Sequence, residues 1–130
     1  MKKITILFLN VIFVNLLFSN SFKLHLLFTN NIHGAIHEVP ARFINPEFSP
    51  ILAGGAGAFT YASKIRKEAK LKEDFVMLTD AGNIFQGSQL GTYDGGSNII
   101  KWMNWMAYDA IVPGVRDFDQ GVNNLSKLAS

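Results

Sequence analysis

Three short apolar runs, each ending in a polar loop that contains glycine, organise this chain. Residues 23–29, K-L-H-L-L-F-T, are almost continuously apolar and predict a first strand, of the kind buried on both faces at the centre of a sheet. Residues 75–78 predict a second strand, which stops at Thr79-Asp80 and turns through Gly82. Residues 110–112 predict a third. Between the first two runs, Ala58, Ala62, Ile65 and Ala69 recur at helical spacing and lay one apolar stripe on a helix over 56–71. Lys64, Lys67, Glu68 and Lys70 fall on its solvated faces. Strand, helix and strand in this order predict a βαβ unit with parallel pairing.

Further along, Ser97 is placed to cap a helix running to Ala107, with Ile99, Met103 and Met106 on its core face and Trp102 and Trp105 widening the apolar surface. Another helix begins over 121–128. Residues 30–55 include Pro40, Pro46, Pro50 and Gly54-Gly55, which predicts a loop of roughly 25 residues. His37 and Glu38 near its start read as solvated, and His25 inside the first strand as a packed residue. The fold class is α/β. Ligands of open parallel sheets bind beyond the carboxyl ends of the strands, so the loops over 29–34, 80–87 and 113–119 are expected to meet as one site.

The first residues follow a different logic. A basic start, Met1-Lys2-Lys3, precedes an apolar run over 4–18 broken by Thr5, Asn10 and Asn15, and Ser19-Asn20-Ser21 supplies small residues after it. That pattern reads as a secretory signal peptide over 1–21 and implies export, to a periplasm or the extracellular space. The run is shorter than the roughly 20 apolar residues that span a bilayer, so no stable membrane anchor is expected. The chain has no cysteine, hence no disulfides and no lipoprotein attachment site. Twelve Lys and Arg stand against ten Asp and Glu. Lys2 and Lys3 lie in the leader, so residues 22–130 are balanced and carry no excess of basic side chains for nucleic acid. Three parallel strands leave two exposed sheet edges, so 22–130 is read as the N-terminal part of a larger domain whose C-terminal remainder is its first partner.

The three loops carry motifs: T-N-N-I-H-G at 29–34, D-A-G-N-I-F-Q-G at 80–87 and G-V-R-D-F-D-Q-G at 114–121. In order and spacing the chain resembles the 5′-nucleotidase group of the calcineurin-like metallophosphoesterases, whose pattern runs T-N-D-x-H-G, D-A-G-D-x-x-Q-G and G-N-H-E-F-D-x-G. Gly54-Gly55 before the first helix and Tyr108-Asp109-Ala110 before the third strand match as well. The resemblance implies the N-terminal portion of an αββα sandwich. It also implies divalent metal ions, Mn or Zn or similar, that bind a phosphate ester or nucleotide and activate water for hydrolysis.

The departures fall on the metal ligands. Asn31 and Asn83 stand where the family has aspartates, Val115 where it has asparagine and Arg116 where it has histidine; His33 survives. Two dications about 4 Å apart repel by about 17 kcal/mol at an effective dielectric of about 20, and anionic ligands hold them together. Asn31 and Asn83 offer carbonyl oxygen without charge, Val115 offers no donor, and Arg116 adds a permanent cation. On the resemblance, Asn31, His33 and Asn83 are the remaining metal positions, and His33 and Asp117 the acid and base candidates for any residual phosphomonoester hydrolysis. Arg116 suits a bound phosphate, with help from backbone N–H groups near Gly82 and Gly114, or alternatively pairs with Asp117 or Asp119 on the surface. Asp80 is placed to cap its own loop. Three readings follow: an impaired phosphatase, a phosphate- or nucleotide-binding pseudoenzyme, and a structural exported domain.

Overall fold

The computed structural model describes residues 21–130; the expected leader over 1–21 lies outside the described residues except for Ser21. In chain order the elements are β1 (Leu24–Thr29), β2 (Val39–Pro40), β3 (Ile51–Leu52), α1 (Gly54–Leu71), β4 (Phe75–Asp80), α2 (Gln89–Thr92), α3 (Ser97–Trp105), β5 (Ala110–Ile111), a 3₁₀ turn (Val115–Phe118) and α4 (Val122–Leu128). β1, β4 and β5 form a parallel sheet in the order β1-β4-β5. Thr29 pairs with Asp80, and Asp80 with Ile111, so all three strands deliver their polar ends to one edge.

Among the described residues β4 lies between β1 and β5. β1 alternates between exposed and partly buried residues because helices cover only one face of the sheet. On that face Leu27 and Leu78 pack with Ala62 and Met106, and with Ala58 and Phe59 around them. On the other face Leu24, Leu26, Phe28, Phe75 and Met77 are exposed. A second cluster, Ile84, Phe85, Ile99 and Met103, sits beneath the strand-end loops, and Trp102 and Tyr108 bridge the two clusters. Trp105 remains 68% exposed, stacked on Phe59 at a centroid distance of 4.5 Å.

Two further expectations are revised. The segment 30–55 contains an antiparallel ribbon, Val39 paired with Leu52 and Pro40 with Ile51. Proline is tolerated there because both strands of a two-stranded ribbon are edges. Its turn is held by Asn45, whose Oδ1 accepts from the N–H groups of Glu47 and Phe48, both at 3.0 Å. At the start of α3 the N-cap is Gly96 rather than Ser97, at φ +95°, and Asp94 Oδ2 accepts from Asn98 N at 2.9 Å. A Cβ on Gly96 would lie 2.6 Å from the Phe85 ring, so the fit of the core sets this residue. At the opposite end of the sheet His25 Nε2 lies 3.2 Å from Asp74 Oδ2, and Lys23 N donates to Asp74 Oδ1 at 2.9 Å. The Lys23 N–H, and after it His25, hold the Asp74 carboxyl below its usual range. No helix of the described residues is long and apolar enough to cross a membrane.

Candidate functional site

The loops after β1 and β4 are stitched together through their backbones. Asn31 N donates to Gly82 O at 2.9 Å, His33 N to Asn83 O at 3.0 Å and Gly34 N to Ile84 O at 2.8 Å. This ladder forces Asn31, His33 and Asn83 into the left-handed region, at φ +54°, +51° and +58°. Asparagine and aspartate enter that region more readily than most residues, so either fits the backbone at 31 and 83.

Asp80 and Asp117 anchor the cluster from inside. Asp80 is 3% exposed; its Oδ1 accepts from Gly82 N at 2.7 Å and its Oδ2 from the Thr29 hydroxyl at 2.5 Å. Its loop-capping role is thus as read from the sequence. Thr29 also meets the Tyr108 hydroxyl at 2.9 Å. Burial pushes the Tyr108 phenol above its ordinary value, opposed by the Thr29 hydrogen bond and aided by the nearby Asp80 charge. Thr29 and Tyr108 stand in the sequence motifs without an assigned role; the cross-strand register of Thr29 with Asp80 is what brings them together at this edge.

Asp117 is fully buried. Its Oδ1 accepts from Ile84 N at 2.7 Å, and its Oδ2 from Asn83 N and Gly114 N, both at 2.8 Å. The expected acid or base role for Asp117 does not fit this geometry, because its carboxylate is fully buried and both oxygens are committed to backbone N–H groups. It ties the third loop to the second. The backbone donors of Gly82 and Gly114, expected to face a ligand, are likewise taken, by Asp80 and Asp117.

Asn83 is the hub. Its Oδ1 accepts from Arg116 N at 3.0 Å, which turns its amide nitrogen toward Asn31, and Nδ2 donates to Asn31 Oδ1 at 2.6 Å. His33 is half-buried, and its Nδ1 lies 2.7 Å from Gln86 O. A carbonyl can only accept, so Nδ1 carries the proton and Nε2 is left with a lone pair. Arg116 is exposed, and the pairing expected with Asp117 or Asp119 does not form: among the described residues the ion pairs are His25–Asp74 and Lys64–Glu68. Val115 is 79% exposed. The fold therefore brings Asn31, Asn83, Arg116 and Asp117 into one hydrogen-bonded unit, with His33 on the same loop as Asn31.

This donor set does not fit a pair of divalent cations. The Oδ1 atoms of Asn31 and Asn83 are already hydrogen-bonded, the two nearby carboxylates face inward onto N–H and O–H donors, and His33 Nε2 stands alone as a ligand nitrogen. Among the described residues no group of three or more His, Cys, Asp or Glu is arranged to hold a metal ion.

No family model matches the chain. Curated relatives do. The 5′-nucleotidase of Rattus norvegicus is 32% identical over 108 residues, and the snake venom 5′-nucleotidase of Crotalus adamanteus is 33% identical over 107. The human 5′-nucleotidase is 31% identical over 110 residues. In each case the match covers 82% of this chain. The chain belongs to the 5′-nucleotidase group of the metallophosphoesterases. It spans 18% of the length of each of these relatives. Among solved structures, the sulfate thiohydrolase SoxB of Thermus thermophilus superposes with a TM-score of 0.70 at 12% identity, over 85% of this chain and 28% of that one. A Staphylococcus aureus protein assigned as a 5′-nucleotidase superposes with a TM-score of 0.54 at 19% identity, over 81% and 20%. The α/β fold with its parallel sheet is thus that of the N-terminal part of such proteins. Metal dependence goes with this family.

Proposed function

We propose that this chain is an exported 5′-nucleotidase-like protein that has lost dinuclear metal hydrolysis and keeps the strand-end pocket without cations. The observation that carries the reading is the amide pair: Asn83 Nδ2 to Asn31 Oδ1, 2.6 Å. It stands at the positions where the resemblance puts two aspartates. Bridging carboxylates bring negative charge that cations must offset. A neutral donor facing a neutral acceptor needs no ion. Export is supported by the leader pattern over 1–21, and the substrate class, a phosphate ester or nucleotide, by the relatives' names.

Hydrolysis assays test this. With p-nitrophenyl phosphate and with AMP, in Mn²⁺ or in Zn²⁺, turnover is expected to stay at the rate of buffer containing the same metal. Metal-dependent turnover that EDTA abolishes would overturn the proposal, and would favour residual hydrolysis with Asn31, His33 and Asn83 as weak ligands.

A further inference from the structure

One face of the β1-β4-β5 sheet has no cover among the described residues, and we infer that it is where a second copy of this chain docks, sheet against sheet. Strand side chains form this face, not the strand-end loops, so its occupant does not depend on whether those loops hold cations.

The register decides which side chains share the face. Leu24 pairs with Phe75, Leu26 with Met77 and Phe28 with Thr79, and residues directly opposite each other in a sheet point to the same side. α1 and α3 pack on the other side, against Leu27 and Leu78. Thr79 pairs in turn with Ala110, and Val112 continues that side past β5, its N–H donating to Asp80 O at 3.0 Å. Phe22 joins before β1, edge-on to Phe75 at a centroid distance of 5.0 Å. None of these positions is charged.

The seven large apolar side chains among them are 37% to 73% exposed. At about 200 Å² for a side chain of this size, they leave on the order of 800 Å² of apolar surface in water. Monomers rarely expose a contiguous apolar patch of more than a few hundred Å². A stable two-chain interface takes about 800 Å² from each partner, which is the area this face offers. Stacked sheets pack about 10 Å apart with their inner side chains interdigitated. An uncharged face suits its own copy, because a two-fold axis through its middle sets apolar side chains against each other and brings no like charges together. Leu26 and Met77 lie at that middle, between the Leu24–Phe75 and Phe28–Thr79 pairs. The helices of both copies then lie on the outside.

Sedimentation equilibrium of the full chain at micromolar concentrations tests this, and a dimer is expected. Leu26→Asp sets two carboxylates against each other near the axis and is expected to weaken the dimer at least tenfold. Leu71→Asp, at an exposed leucine ending α1, is expected to leave it unchanged. Circular dichroism checks that the variants are folded; should Leu26→Asp fail that check, Phe28→Lys on the same face is measured in its place. The chain has no cysteine, so Leu26→Cys supplies a single thiol, and a short bismaleimide is expected to join it to its copy. Lys67→Cys, on the solvated side of α1, should stay unjoined under the same conditions. A monomer throughout, a dimer that the charged variants leave intact, or open-ended assemblies in place of a dimer overturns the inference. So does a monomer that floats with phosphatidylcholine vesicles, which gives the face to a lipid surface. A monomeric longer product that shields the Leu26→Cys thiol from alkylation gives the face to the C-terminal remainder and overturns it as well.

Discussion

The side-chain amide of Asn83 donates to that of Asn31 across 2.6 Å, joining the loop after β4 to the loop after β1. Two carboxylates at the same positions would repel unless a cation or a shared proton lay between them. The amide pair holds the loops together under the same backbone constraints with no ion, and Asn83 Oδ1 extends the tie to the third loop through Arg116 N.

That relationship can be inverted by mutation. The double variant Asn31→Asp, Asn83→Asp keeps side chains that accept the left-handed backbone but places like charges in contact. In EDTA at neutral pH it is expected to lose about 1–3 kcal/mol of stability relative to the parent. Millimolar Mn²⁺ or acidification should return most of that loss. Thermal melts of both proteins, with and without Mn²⁺, measure it; the parent's midpoint should not move with the metal.

Asp117 is expected to behave as an anchor. Asp117→Asn leaves one acceptor oxygen for the three buried N–H groups of Asn83, Ile84 and Gly114, and turns an NH₂ toward one of them. The expected cost is about 2–4 kcal/mol in urea unfolding. Asp119→Asn, at an exposed position two residues on, should stay within about 0.5 kcal/mol.

Much of this was legible in the residues, and what was not has physical causes. The strands, the α1 stripe and the meeting of three polar loops follow from apolar runs and their glycine stops, because period and punctuation are local properties. Which faces of β1 are covered was not legible, because an apolar run reads the same whether both faces are covered or one is left open, and among the described residues Leu24, Leu26 and Phe28 are exposed. The departures at 31, 83, 115 and 116 were visible by comparison with the family pattern. The new bonds that Asn31 and Asn83 make with each other were not, since residues fifty-two positions apart meet only through the β1–β4 register. The same holds for Asp117, whose burial depends on the 3₁₀ turn folding it under Asn83.

Acid stability should depend on Asp74. The Lys23 N–H and His25 hold its carboxyl below its ordinary value in the folded chain. A depressed folded value means the contribution is complete above the unfolded value and disappears as pH falls through the lower, folded one. Asp74→Asn should therefore flatten the fall in stability below about pH 4, while leaving a less stable protein at pH 7. Urea midpoints taken at intervals from pH 7 to strongly acid conditions show both effects.

Tyr108 acts at the other end of the scale. Burial favours its neutral phenol, so its contribution is complete below the ordinary value near 10 and is lost as pH rises from there through the higher folded value. Tyr108→Phe should remove that alkaline loss and, by breaking the 2.9 Å contact with Thr29, cost about 0.5–1.5 kcal/mol at pH 7. Urea midpoints between pH 7 and pH 11 separate the two contributions.

The central claim, that a pocket built for paired cations now stands without them, is met most directly by calorimetric titration of the chain with Mn²⁺. The expected result is no saturable heat from the parent, and saturable binding once Asn31→Asp, Asn83→Asp, Val115→Asn and Arg116→His are introduced together. Two tightly bound ions per parent chain, lost in the Asn83→Ala variant, would contradict it.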